Sequence, residues 1–145
     1  MKLAEGACAQ SRVFYLAAQR CNEFRPMPSG LLQYLEVPTL VCYAFCIELG
    51  LKALSVFEIG KAERGHDLKD LLRVLSPGLQ AQIIADTGRP TSFESDLDMV
   101  REAFEVWRYI HEKAHAVDTD LGFLQRMAAA VQKALAAFPQ VPPPP

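Results

Sequence analysis

Charge of one sign is scarce in this sequence. Fifteen basic residues stand against 17 acidic ones among 145, a formal charge of −2. No global basic field therefore draws the chain to nucleic acid, and any contact with RNA needs a local patch or a dimer that doubles one. A long uninterrupted apolar run is missing too. The longest, Thr39 to Phe57, is broken by Glu48 and Lys52, and charges at the centre of a membrane span are expensive. This stretch reads as a buried core helix, with no membrane involved. The N-terminus lacks the charged, apolar and small-residue succession of a signal peptide, so a cytoplasmic protein is expected. Cys8, Cys21, Cys42 and Cys46 form no CxxC pair and no zinc-ligand spacing. They read as small buried hydrophobes in a reducing compartment, with no metal and no cofactor expected. GxxxxGK[ST], GxGxxG, HExxH and a serine nucleophile elbow are also absent.

What is present is helical. Hydrophobic residues make up 50% and charged residues 22%, the balance of a folded domain. One domain is expected over residues 1–138, followed by a disordered Pro-rich tail at 139–145. No stretch alternates as a strand, and no segment repeats. The first helix is expected from near Leu3 to Phe24. Pro26, Pro28, Ser29 and Gly30 mark a loop, from which Leu31, Leu32, Tyr34 and Leu35 fold back onto the core. Pro38 opens a second helix, apolar nearly all round, which Gly60 ends. Asp67 caps a third helix reaching Leu75, Ser76-Pro77 breaks it, and a short helix runs to Asp86. Thr91 precedes Glu94 at capping-box spacing. From there Phe93, Leu97, Val100, Phe104, Trp107, His111 and Ala114 form one stripe on one long helix. Asp118 or Thr119 caps a last helix through Leu121, Leu124, Met127, Val131 and Leu135. The expected fold class is all-α, a four-to-five-helix up-and-down bundle with short extra helices in the 61–90 connection.

Few residues are suited to chemistry. Arg108 and His115 lie seven apart, almost two turns, so both leave one helix face about 10 Å apart along the axis. Such a pair suits metal-independent RNA cleavage. Histidine moves a proton near neutral pH, and arginine binds phosphate and stabilises its developing charge. Across a dimer axis two copies bring both groups onto one phosphate. His111 falls on the apolar stripe, either as a hydrogen-bonded core histidine or as a group tuning His115. Glu48 and Lys52 are spaced for a mutual ion pair. Charges on so apolar a helix require partners, and Arg108 is a second candidate partner for Glu48. His66 opens the third helix, either as a capping element or facing a pocket shared with Arg64 and Lys69. Arg101, Arg108 and His115 repeat at seven-residue intervals as a candidate positive stripe, which Glu105 and Glu112 partly neutralise.

Three blocks carry a family resemblance. Ala44-Phe45-Cys46-Ile47-Glu48-Leu49-Gly50-Leu51-Lys52-Ala53-Leu54, Gly65-His66-Asp67-Leu68-Lys69-Asp70-Leu71 and Phe104-Glu105-Val106-Trp107-Arg108-Tyr109 together resemble the HEPN superfamily of small helical bundles. The order and separation of the blocks agree with that family over roughly residues 40–115. The resemblance implies a homodimer and an Arg-x(4–6)-His ribonuclease motif, here Arg108 and His115. Tyr109 follows the arginine where many members carry a polar residue. A toxin or phage-defence ribonuclease is one expectation, with RNA as substrate and an antitoxin as partner. Its alternative is a non-catalytic HEPN-like module that dimerises and binds a partner such as a nucleotidyltransferase, or a nucleotide. An unrelated helical adaptor is the third reading.

Overall fold

The computed structural model describes residues 2–112 and 119–138. The chain forms an all-α helical bundle of α1 (Lys2–Cys21), α2 (Glu36–Ile59), α3 (Leu68–Arg73), α4 (Pro77–Asp86), α5 (Phe93–Val100), α6 (Ala103–Arg108) and α7 (Leu121–Ala136), with a 3-10 turn at Ile110–Glu112. A small antiparallel pair, β1 (Arg25–Pro26) and β2 (Leu32–Gln33), joins α1 to α2.

α2 is the axis of the bundle. Its length and composition would suit a membrane span, yet most of it is buried within the protein. Leu40, Ile47, Leu51 and Leu54 are fully enclosed, and burying a side chain of this size contributes about 1.5–3 kcal/mol. α1, α7, α6 and α3 all pack on this helix, and α4 packs on α7. The closest approach is at Gly50, where an added Cβ would lie 2.3 Å from Val131 Cγ1 and 3.0 Å from Ser11 Oγ. Ser11 secures the same crossing. Its hydroxyl donates to the Cys46 carbonyl at 2.6 Å and accepts from Gln132 Nε2 at 2.8 Å, so one buried hydroxyl ties α1, α2 and α7.

Several local signals act as the sequence indicates. Gly60 ends α2 in the left-handed conformation at φ 70°. The Asp67 carboxylate accepts from the Lys69 and Asp70 amides at the start of α3, and Ser76 caps α4 ahead of Pro77. Other expectations need correction. α2 begins at Glu36 rather than Pro38, because first-turn amides lack helical partners and a proline is tolerated there. The loop after α1 contains strand pairing, with Arg25 opposite Gln33 and Pro26 opposite Leu32. Leu31, Leu32 and Leu35 consequently stay exposed rather than folding onto the core. Tyr34 holds the hairpin to α1 by donating to Asn22 Oδ1 at 2.9 Å and stacking on Phe24. Asp120, rather than Thr119, stands at the N-cap of α7 and accepts from the Phe123 amide; Asp118 lies outside the described residues.

The main correction concerns the long helix expected from Thr91. Ser92, not Thr91, stands at its N-cap, without a side-chain cap bond. The helix is interrupted at Arg101–Glu102, dividing the stripe between α5 and α6. Arg101 is drawn toward the start of α3. Its carbonyl accepts from the Leu68 amide at 2.8 Å, and its Nε donates to Asp67 at 2.8 Å. The expected positive stripe is thereby broken at its first member. Ala114 and His115, and the Pro-rich segment at 139–145, lie outside the described residues.

Candidate functional site

The site forms where α2, the turn before α3, and α6 meet. Glu48 lies on the buried side of α2 with its side chain 2% exposed. Charge at such a position is costly unless paired. Lys52 supplies the pair from one turn on, with Nζ 2.7 Å from Glu48 Oε1, as the spacing predicts. The second partner is His66, whose Nδ1 lies 2.9 Å from the same oxygen. The other oxygen, Oε2, is buried with no hydrogen-bond partner among the described residues.

This arrangement assigns the imidazole tautomer. A carboxylate that is ion-paired with an ammonium offers acceptors only. Nδ1 must therefore carry the proton and donate it to Glu48, which leaves the lone pair of the neutral ring on Nε2. Nε2 faces Glu105 Oε1 at 3.8 Å, too long for a direct hydrogen bond. The His66 side chain is 42% exposed, so the ring is only partly enclosed by the protein.

Phe104 connects His66 to Arg108. It is a buried residue of α6, stacked on Phe45 of α2 at 4.4 Å. The His66 ring lies 5.9 Å from the Phe104 ring, and the Arg108 guanidinium carbon lies 4.5 Å from it. These distances place the imidazole and the guanidinium within about 10 Å of each other. The guanidinium also lies 4.5 Å from the Tyr109 ring, and both residues are exposed. Arg108 makes no ion pair with Glu48 or with any other described carboxylate. The expected Glu48–Arg108 pairing is corrected. Glu48 satisfies its charge through Lys52 and His66, and Arg108 rests on aromatic faces, a favourable seat for a guanidinium.

Two further placements differ from expectation. His66 does not share a pocket with Arg64 and Lys69. Lys69 turns toward Asp98 and Glu94, at 2.5 and 3.2 Å. The hydrogen bond to Asp98 raises its pKa above the usual lysine range. Asp67, not His66, performs the capping. His111 is an exposed residue of the 3-10 turn, not a core histidine. The turn that ends α6 at Tyr109 carries it away from the stripe. Glu48, Lys52, His66, Phe104, Glu105, Arg108 and Tyr109 thus come together, and His115 lies outside the described residues. Glu105 and Phe104 had no site role from sequence. Their signals were Phe104's place on the apolar stripe, Glu105's place beside Arg108 on the charged face, and membership of the Phe104–Tyr109 block.

Comparison of the chain with protein-family models, with curated proteins and with solved structures returns no match.

Proposed function

We propose that this protein is a HEPN-like module that acts in the cytoplasm as a homodimeric, metal-independent endoribonuclease of the toxin or phage-defence type. One observation carries the reading. Arg108 is exposed, seated on Phe104 and Tyr109, and not engaged by Glu48 or any other described carboxylate. A structural role as the counter-ion of a buried acid would have consumed it. Its guanidinium is instead available to hold a phosphodiester through two parallel hydrogen bonds. Cleavage also needs a histidine to move the proton of the ribose 2′-hydroxyl, and His115 on the Arg-x6-His spacing is the residue the family resemblance supplies. The exposed Tyr109 ring beside Arg108 suits the stacking of an unpaired base, which makes single-stranded RNA the substrate class.

The dimer has a candidate surface. Phe24, Met27, Leu31, Leu32 and Leu35 expose large apolar side chains on or beside the hairpin, and clustered exposed apolar side chains are a feature of interaction sites. The test is cleavage of mixed-sequence single-stranded RNA in EDTA, beside Arg108→Ala and His115→Ala. Cleavage by the parent to 2′,3′-cyclic phosphate ends, lost in Arg108→Ala, is the expected result, and its loss in His115→Ala as well would assign the proton transfer to His115. A folded dimer that leaves RNA intact overturns the ribonuclease reading. It would favour the non-catalytic module that dimerises and binds a partner such as a nucleotidyltransferase, or a nucleotide.

A further inference from the structure

We propose that the proton acceptor in this RNA cleavage is His66, oriented by Glu48; the inference rests on the ribonuclease reading and reassigns the base within it.

Three observations lead to it. First, the Glu48–Nδ1 hydrogen bond at 2.9 Å fixes both the tautomer and the direction of the ring, as an orienting acid does for a catalytic imidazole. Glu48 is itself held by Lys52 and by burial, so the ring has a rigid support. Second, the free edge of the ring is Nε2, and nothing described hydrogen-bonds to it. It stands 3.8 Å from Glu105 Oε1, so two acceptors face each other across a gap too long for a direct bond. Nε2 therefore keeps an unused lone pair, able to accept from a group that brings its own proton, such as a ribose 2′-hydroxyl. Third, Arg108 lies on the same Phe104 ring as His66. The two groups are thus at most about 10 Å apart, near enough for one nucleotide to reach both through hydrogen bonds of about 3 Å.

The charges are consistent with an anionic substrate. Glu48 and Glu105 are offset by Lys52 and Arg108, so a phosphodiester meets a neutral cluster. When the ring gains a proton, the two carboxylates beside it offset the new positive charge. Glu105 is about half exposed and is free to swing as the nucleotide enters.

The step balances as a transesterification. Nε2 of His66 takes the 2′-hydroxyl proton, and the 2′-oxygen forms a bond to phosphorus. The bond from phosphorus to the 5′-oxygen breaks, and the leaving oxygen takes a proton from water. The imidazolium returns its proton to the resulting hydroxide. The products are a 2′,3′-cyclic phosphate and a 5′-hydroxyl. His66 and Arg108 are the catalytic residues, and Glu48 is a positioning residue.

The experiment measures single-turnover cleavage of a labelled single-stranded RNA by the full chain in EDTA. The variants are His66→Ala, His66→Gln, His115→Ala and Glu48→Gln, each checked for folding by circular dichroism. Loss of a general base lowers the rate about 10²–10⁴-fold, and this loss is expected for both His66 variants, whereas His115→Ala should cleave like the parent. Imidazole added to the buffer should restore part of the His66→Ala rate. Glu48→Gln should lower the rate at saturating RNA at least about tenfold while leaving the half-saturating RNA concentration unchanged, a split that mere loosening of the fold would not produce. Parent-like cleavage by folded His66→Ala and His66→Gln overturns the assignment to His66 and leaves the ribonuclease reading standing. Absence of cleavage by the folded parent overturns both.

Discussion

Truncating Arg108 should separate stability from activity. Its guanidinium carbon lies 4.5 Å from the Phe104 and Tyr109 rings. An exposed cation–π contact contributes about 0.5–1 kcal/mol. Two rings sharing one exposed guanidinium, together with the packing of its stem, give about 1–1.5 kcal/mol for Arg108→Ala. In a domain of this size that corresponds to a fall in Tm of about 3–6 °C. If Arg108 instead neutralised a buried acid, truncation would strand that charge and cost about 3–5 kcal/mol, a fall of 10 °C or more. Cleavage should respond in the opposite proportion, because removing a group that stabilises the phosphate transition state costs about 10²-fold or more. Thermal unfolding followed by circular dichroism, run beside the RNA assay in EDTA, reads both quantities. A fall in Tm beyond about 10 °C, or unchanged cleavage, would refute the placement of Arg108 as a substrate-binding residue.

Other perturbations test the fold around the site. Gly50→Ala gains about 1 kcal/mol of helix propensity. The new Cβ meets Val131 at 2.3 Å, and the resulting displacement of α7 should make the variant less stable by about 1–2 kcal/mol net in urea unfolding; an unchanged midpoint would mean that α7 yields freely. Asp120 accepts from the Phe123 amide and from Arg89, and these bonds hold its carboxyl below the usual value of 3.8. A depressed carboxyl contributes stability above its unfolded pKa and loses it as pH falls through the folded one. Asp120→Ala should therefore cost about 1 kcal/mol at pH 7. The deficit should persist down to about pH 4 and close below it, and a constant deficit at pH 2.5 would remove the carboxylate from the explanation. Burial pushes the thiols of Cys8 and Cys46 up, so both should stay silent to a thiol reagent until the chain unfolds. Rapid reaction of all four cysteines in the native protein would contradict the packing of α1 on α2.

Local signals were legible in the sequence because their partners are local. The i,i+4 pairing of Glu48 with Lys52 needs only one helix, and it is present. Asp67 finds its two amides within three residues. Gly60 supplies the left-handed turn wherever the rest of the chain goes. The second partner of Glu48 was a different matter. Arg108 and His66 were both available cations or donors at long separation, and sequence spacing does not rank them. Nearness in the bundle does, and it brings His66, 18 residues away, to Nδ1 contact.

The division of the Phe93–Ala114 stripe shows how such long-range contacts create the site itself. The apolar spacing through Val100 and Phe104 is compatible with one continuous helix, and local propensity does not break it. What intervenes is the start of α3. The Leu68 amide has no helical partner in its own first turn and takes the Arg101 carbonyl instead. The Arg101 guanidinium meanwhile reaches Asp67, the residue that caps α3. One residue therefore joins the two elements through backbone and side chain together. With the helix interrupted at that point, α6 is free to take its own direction against α2, while α5 packs on α3. Phe104 then stacks on Phe45, and Glu105 comes to face His66. The turn centred on Gly65, His66 and Asp67 thus does two jobs at adjacent residues: His66 binds the buried acid of α2, and Asp67 anchors the break that delivers α6. Loosening the Asp67–Arg101 contact, as in Arg101→Ala, should blunt cleavage through misplacement of Phe104 and Arg108 even though Arg101 touches no substrate. Parent-like cleavage by that variant would show that α6 finds its place on α2 without the anchor.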